Sequence, residues 1–299
     1  MAAAGKNRKS VKWALLIVAL LFLVALLVAY GDRLPEILRP QAPGGDCVKV
    51  HFIDVGQGSS TLIQSGKEGI LIDAGEAIYA DRVIGYIRRS GVKTLTLAIA
   101  THPHSDHIGA LAEVLRAIPT ETVVMPRLTP ETTPTSISYE HLLEAIRDEK
   151  IQLLPAKPGE TYELQNARLT VLAPLEQSTD LNDMSVICRL EAFSTTFLLP
   201  ADAQQPAQNT LLQSGENLRC DVLLSPHHGA SNALNEAFLQ AAKPQMAVIS
   251  CGKNNDYGHP HADVLRAYKQ QKLKVYRTDK DGTVLVSCYA DGYRVDTKQ

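Results

Sequence analysis

An apolar run, Leu97-Ala98-Ile99-Ala100-Thr101, stops abruptly at His102-Pro103-His104-Ser105-Asp106-His107, and this junction limits what the chain can fold into more than any other stretch. The run has the makings of a buried strand. Beyond the junction, Ala110 to Ile118, with apolar residues at 111, 114, 115 and 118, has helical spacing. Histidine and aspartate crowded at the end of a buried strand make a poor core, because such groups are rarely buried without partners. They make a good metal site, since imidazole and carboxylate are side chains that bind Zn, Mn and Fe. Alternate residues of an extended loop project to one side, so His102 and His104 face one way together. Asp106 and His107, at the turn into the helix, address a neighbouring position, which allows two metals.

The rest of the chain supplies the layers. Residues 48–55 alternate and read as a strand; strands at 60–64 and 69–73, a helix at 83–90 and the strand 95–101 follow. Beyond the motif come a strand at 123–125, a Thr/Pro-rich loop over 127–136 long enough for a lid or substrate-facing edge, and a helix at 139–149. Strands are expected near 151–154, 167–172, 185–190 and 195–199. Helices at 207–214, 235–242 and 262–271 then alternate with strands at 222–225, 246–250 and 274–276, before a last strand at 283–289. Strands dominate first, then alternate with helices, and this happens twice. That order suits an α/β fold of two sheets packed face to face with helices outside, an αββα sandwich.

Residues 1–12 carry Lys6, Arg8, Lys9 and Lys12 with no acidic residue, and Trp13 to Tyr30 is uncharged throughout. About 20 apolar residues are what a helix needs to cross the hydrocarbon core. The basic flank keeps residues 1–12 in the cytoplasm. One N-terminal transmembrane helix over 13–30 is therefore expected, a signal-anchor that places the remainder outside the cytoplasm; a cleaved signal peptide is the competing reading. Residues 31–46, with Pro35, Pro40, Pro43 and Gly44-Gly45, read as a linker, and 47–299 as the folded domain. With 30 Lys+Arg against 32 Asp+Glu, the net charge of −2 lacks the basic excess that advertises nucleic-acid binding. Bound metals would supply positive charge locally, so DNA is not excluded. Five scattered cysteines contain no C-x-x-C pair, and Cys188, Cys220 and Cys251 read as core.

Thr101-His-Pro-His-Ser-Asp-His107 resembles the H-x-H-x-D-H signature of the metallo-β-lactamase superfamily of binuclear metallohydrolases. Val50 to Ser59, Asn182-Asp183-Met184-Ser185, Pro226-His227-His228-Gly229 and Tyr257-Gly258-His259-Pro260 are similar to one branch, the extracytoplasmic domain of the ComEC DNA-uptake proteins. The resemblance implies two divalent metal ions, Zn²⁺ or Mn²⁺, held by His102, His104, Asp106, His107, Asp202 and His227. Asp202, read alone as a turn aspartate or helix N-cap, becomes the bridging carboxylate. His228 is either the ligand in place of His227 or a group that orients a ligand or gives up a proton. Many members carry a third histidine where this chain has Asn182-Asp183. Oxygen ligation by Asp183 or Asn182 would tilt that position toward Mn²⁺, and a simple turn there would leave it weak.

The same resemblance brings the turn of Asp54, Gln57 and Gly58 beneath the site and makes Asp73 a partner for a ligand histidine. It sets His259, beside Tyr257, to hold a substrate phosphate or protonate a leaving group; the alternative is a surface-loop histidine. Asp106, His228 and His259 form the expected catalytic set, and a metal-bridging hydroxide the expected nucleophile. The function implied is a membrane-anchored phosphodiesterase or nuclease acting on DNA. Two alternatives stand beside it: a hydrolase of a wall-polymer phosphodiester, lactone or β-lactam, and a non-catalytic domain that binds DNA or a partner. A single membrane segment cannot itself translocate DNA, so the resemblance implies either a separate channel protein as partner or a role outside that pathway.

Overall fold

The computed structural model describes residues 46–298, so the expected membrane segment over 13–30 and nearly all of the linker lie outside the described residues. None of the described helices is long and apolar enough to cross a membrane. The first strands in the chain are β1 (Val48–Phe52), β2 (Thr61–Ser65), β3 (Glu68–Ile72), β4 (Thr94–Ile99), β5 (Thr120–Met125) and β6 (Gln152–Pro155). Then come β7 (Thr161–Leu164), β8 (Ala167–Val171), β9 (Cys188–Ala192), β10 (Thr195–Leu199), β11 (Val222–Leu224), β12 (Met246–Ile249) and β13 (Lys274–Arg277). The chain then returns to the first sheet with β14 (Thr283–Tyr289) and β15 (Gly292–Lys298). One sheet has the order β15-β14-β1-β2-β3-β4-β5-β6 and the other β13-β12-β11-β10-β9-β8-β7.

Each sheet begins as an antiparallel meander and ends as a parallel run: β1 to β3 then β3 to β6 in one, β7 to β10 then β10 to β13 in the other. Parallel neighbours need crossover connections, and helices provide them. In the first half these are α1 (Ala80–Ser90), α2 (Ser105–Ile108), α3 (Leu111–Ala117) and α4 (Ile137–Asp148). In the second they are α5 (Gln205–Gln213), α6 (Glu236–Ala242) and α7 (Ala262–Gln270), with the single turn α8 (Thr278–Asp281) leading into β14.

The central strands are buried on both faces, which is why they read as near-continuous apolar runs. Val50, Phe52, Leu97 and Ile99 of one sheet share a core with Leu190, Phe197, Leu199 and Val248 of the other. Leu95 and Ala98 turn the opposite way, onto α1, α3 and α4; Ala247 and Ile249 do the same toward α5, α6 and α7. The αββα layering expected from the order of elements is present. Two strands were not expected, β7 and β15. Both lie at sheet edges, where one face alone is covered: Tyr162 and Leu164 of β7 and Tyr293 and Val295 of β15 pack on the core and alternate with Glu163, Arg294 and Asp296, so only two apolar residues in each carry the signal. β9 also starts later than the expected 185, because Ser185 to Ile187 are spent bringing the chain past the site.

Candidate metal centre

The carboxyl ends of β3, β4, β10 and β11 open on one edge of the sandwich, where an open α/β sheet offers its binding crevice. Asp73 follows β3, His102 and His104 follow β4, and Asp106 and His107 lie in α2. Asp202 follows β10; His227 and His228 follow β11. The sheets are tied together there by the Val186 N–H donating to the Thr101 carbonyl at 2.9 Å. Asp73, Ala201, His227 and His228 all adopt left-handed backbone conformations, with φ of 58, 48, 48 and 56°. Each costs a residue with a Cβ on the order of 1 kcal/mol. Strain of this kind, gathered at strand ends around one cavity, turns side chains inward and marks a site rather than a fold requirement.

Four of these side chains converge on one point: the ligand atoms of Asp106, His107, Asp202 and His228 all lie within 4.8 Å of one another. His107 Nε2 is 3.1 Å from Asp202 Oδ1 and 3.3 Å from His228 Nε2, and His228 Nε2 is 3.2 Å from Asp106 Oδ2. Beside this group, His102 Nε2 lies 3.1 Å from His104 Nδ1 and 3.7 Å from Asp202 Oδ2, and His227 Nε2 is 3.6 Å from the same oxygen. The Asp202 carboxylate therefore stands between two groups of donors.

The donor set fits divalent cations. Ligands about 2.0–2.1 Å from one tetrahedral centre sit about 3.3 Å from each other, and three of the contacts here, at 3.1–3.3 Å, match that spacing, with Asp106 Oδ2 standing 4.0 Å from His107 Nε2. The second nitrogens of three histidines are committed elsewhere. His107 Nδ1–H donates to Asp73 Oδ2 at 2.7 Å, His228 Nδ1–H to the Ser250 carbonyl at 2.8 Å, and His102 Nδ1–H to Thr101 Oγ1 at 3.1 Å. Thr101 in turn donates its N–H and its hydroxyl to Asp73, at 2.9 and 2.7 Å. Each tautomer is thereby fixed with a lone pair on Nε2, facing the shared point. Two buried polar atoms at the site, Asn182 Oδ1 and His227 Nδ1, have no hydrogen-bond partner, and an unpaired buried polar atom is costly unless something binds it.

Charge follows the same geometry. Burial pushes the His107 and His228 imidazoliums down, but the carboxylates around them prevail. His107 is held well above its ordinary value by Asp202, Asp73 and Asp106, and His228 is pushed up to about 10 by Asp202 and Asp106. Burial raises Asp106 and Asp202, yet the imidazoles facing them hold both below the usual carboxylate range. His102, buried and facing His107 and His104, is held well below the ordinary imidazole value. The carboxylates thus attract positive charge to the same point, as protons on imidazole or as a divalent cation in their place.

The cleft above holds about 340 Å³ and is lined by Gln57, His104, Ser105, Asp106, Asn182, Asp202, His227, His228, Tyr257 and His259. The loop bearing Tyr257 and His259 is held by Asn255, whose side-chain amide donates to the carbonyls of Gly252 and His259 at 2.9 and 2.7 Å, and by His261, which accepts from the Ser231 N–H at 2.9 Å. Gln57 Oε1 accepts from the Gly252 N–H at 3.1 Å, and Gln57 Nε2 reaches His259 Nδ1 at 3.5 Å. Burial and the imidazoles of His228, His227 and His261 push His259 down to about 4, so it is neutral at pH 7. Gly58 lets its turn pass against the Asp106 backbone: a Cβ there would strike the Asp106 carbonyl, which instead accepts from the Ser59 N–H at 3.1 Å.

One expectation, oxygen ligation by Asp183, is corrected, and the choice left open between His227 and His228 takes a definite geometry. The histidine converging with Asp106, His107 and Asp202 is His228, with His227 displaced toward the cleft; two consecutive left-handed residues turn His228 inward. Asp183 does not face the cleft. Its Oδ1 accepts from the N–H groups of Gln204 and Ala207, at 3.0 and 3.4 Å, and so caps α5, leaving Asn182 as the oxygen donor that lines the site. Asp54 serves its own turn, accepting from the Gly56 N–H at 3.1 Å and meeting Arg82 at 3.5 Å. The loop over 127–136 lies outside the lining of the cleft. Sequence reasoning missed Thr101 and Ser250: a threonine ending a strand and a backbone carbonyl carry no signal of their own.

Known proteins give the same picture. ComE operon protein 3 of Bacillus subtilis is 28% identical over 257 residues, covering 79% of this chain and 32% of that protein. Competence protein ComA of Neisseria gonorrhoeae is 26% identical over 249 residues, covering 82% and 33%. The chain thus spans about a third of the length of these curated relatives. Among solved structures, the metallo-beta-lactamase fold protein YhfI from Bacillus subtilis superposes with a TM-score of 0.53 at 17% identity, over 78% of this chain and 96% of that one, which shows the shared fold. The family model of the metallo-beta-lactamase superfamily matches residues 53–253, a span that contains every donor described above, and the chain belongs to that superfamily.

Proposed function

We propose that this chain is a metal-dependent phosphodiester hydrolase acting on DNA outside the cytoplasm. One observation carries the reading: a single buried carboxylate, Asp202, stands between two groups of nitrogen and oxygen donors at the floor of an open polar cleft. His107, His228 and Asp106 with Asp202 would hold one cation; His102 and His104, with Asp202 and either Asn182 or His227, would hold the other. Bound there, Zn²⁺ or Mn²⁺ supplies Lewis acidity, lowering the pKa of water and drawing charge from a phosphoryl oxygen.

The chain's own residues do the rest. Gln57 Nε2–H directed at His259 Nδ1 leaves the ring proton of His259 on Nε2, making this neutral imidazole a donor to a phosphoryl or leaving oxygen. Asp73 and the Ser250 carbonyl keep His107 and His228 in their acceptor tautomers. A phosphodiester suits a site with two cation positions because its two free oxygens can be shared between them. Likeness to competence proteins supports DNA as the substrate, and the uncharged run over 13–30 supports a membrane-anchored placement with a separate channel protein as partner.

The test is cleavage of labelled single-stranded DNA by the full-length chain in Mn²⁺, Zn²⁺ or Mg²⁺, with Asp202→Asn as control. Cleavage abolished in the variant supports the reading. Failure to cleave DNA or bis-p-nitrophenyl phosphate with any of these metals overturns it.

A further inference from the structure

We propose, resting on the phosphodiesterase reading, that the cleft continues past His259 into a second hollow and that the two together bind a single-stranded polynucleotide, with Lys253 and Lys280 holding a backbone phosphate beyond the one cleaved. The second hollow measures about 420 Å³ and shares His259 with the catalytic cleft. Its charged lining is Lys253, Lys280, Arg277 and Asp279. Arg277 is clamped by Asp279 through bonds of 2.9 and 2.6 Å, so these two neutralise each other and the exposed lysines set the sign of the hollow. Asp281 is occupied as the acceptor of the Arg277 N–H at 2.8 Å, and Asp256 lines neither hollow.

An aromatic step lies at the boundary. Tyr257 is 67% exposed and stacks on His259, with ring centroids 5.5 Å apart and planes inclined by 19°. An exposed ring backed by a second ring offers a face on which a base can stack without regard to its identity. A base inside a duplex is already stacked and cannot offer its face, so the ring selects unpaired strands. Anionic phosphates and flat bases match the lysines of the second hollow and the ring of the catalytic cleft beside it, and a small phosphodiester confined to that cleft would not reach the lysines. Binding of this kind has a salt dependence that counts the phosphates contacted.

The experiment compares the full-length chain with Lys253→Ala/Lys280→Ala and with Tyr257→Ala, in Mn²⁺, on a single-stranded oligonucleotide and on bis-p-nitrophenyl phosphate. For the oligonucleotide, KM in the double variant is expected to rise roughly 10-fold and the slope of log affinity against log salt to fall by about 0.7, the share of the one phosphate given up. Tyr257→Ala is expected to raise KM for the single strand with the salt slope unchanged. Turnover of bis-p-nitrophenyl phosphate, too short to reach the second hollow, should stay within about 2-fold in the double variant. An oligonucleotide KM and salt slope unaltered in the double variant would overturn the inference while leaving the phosphodiesterase reading in place. Cleavage of bis-p-nitrophenyl phosphate without any of the oligonucleotide would also overturn it. Cleavage of neither removes both.

Discussion

The two proposed cation positions share Asp202 and are otherwise built differently. Around the one formed by Asp106, His107 and His228, both imidazoles are tied on their far nitrogens, to Asp73 and to the Ser250 carbonyl. Around the one formed by His102 and His104, only His102 is tied, and the remaining donors are His227 with an unpartnered Nδ1 and Asn182 with an unpartnered Oδ1. A donor set whose orientation is fixed before the cation arrives loses little freedom on binding; one that must be adjusted loses more. On the proposed reading the first position is expected to be the tighter one, and the second the adaptable one.

The largest expected effect comes from removing what the positions share. Asp202→Ala should abolish both, and with several kcal/mol of transition-state stabilisation gone, lower phosphodiesterase turnover by roughly 10³-fold or more. Retention of activity would break the comparison outright. Chelation of the wild-type chain comes next. A cation present at about 1,000 times its Kd contributes about 4 kcal/mol, so stripping it should lower Tm by roughly 10 °C, read by calorimetry. Asp73→Asn touches the tighter position and should cost 10- to 100-fold, within the range of about 10–100 usual for partners of ligand histidines, in the affinity of the first cation in a titration.

Asn182→His tests the adaptable position. Supplying a nitrogen donor should raise Zn²⁺ affinity of the second cation several-fold and leave the first unchanged; an effect on the first would show that the positions are not separate. The smallest effect expected is that of Asp183→Ala. Losing a helix cap costs about 1 kcal/mol, a few degrees in Tm, with metal stoichiometry and turnover unchanged.

Much of this was legible in the sequence because it rests on short-range chemistry. Strands buried on both faces announce themselves, and the His102–His107 cluster needs only its own spacing to be read as a metal site. What could not be read depends on φ angles and on contacts across the sandwich. His227 and His228 are adjacent and chemically alike, and only their left-handed backbone decides which turns inward. Asp183 and Asn182 are neighbours in the chain, yet the first meets the amino end of α5, an element more than twenty residues later, and the second meets the cleft. The edge strands β7 and β15 were illegible for a different reason: each turns only two apolar side chains to the core, too few to stand out from a loop.

The central claim is that side chains from both sheets enclose a divalent cation beside Asp202. Anomalous diffraction from crystals of the full-length chain grown with Mn²⁺ tests it most directly. A peak among Asp106, His107, Asp202 and His228, stronger than a second near His102 and His104, is the result expected. Density for Mn²⁺ away from these residues, or none at all with the cleft ordered, would contradict the account.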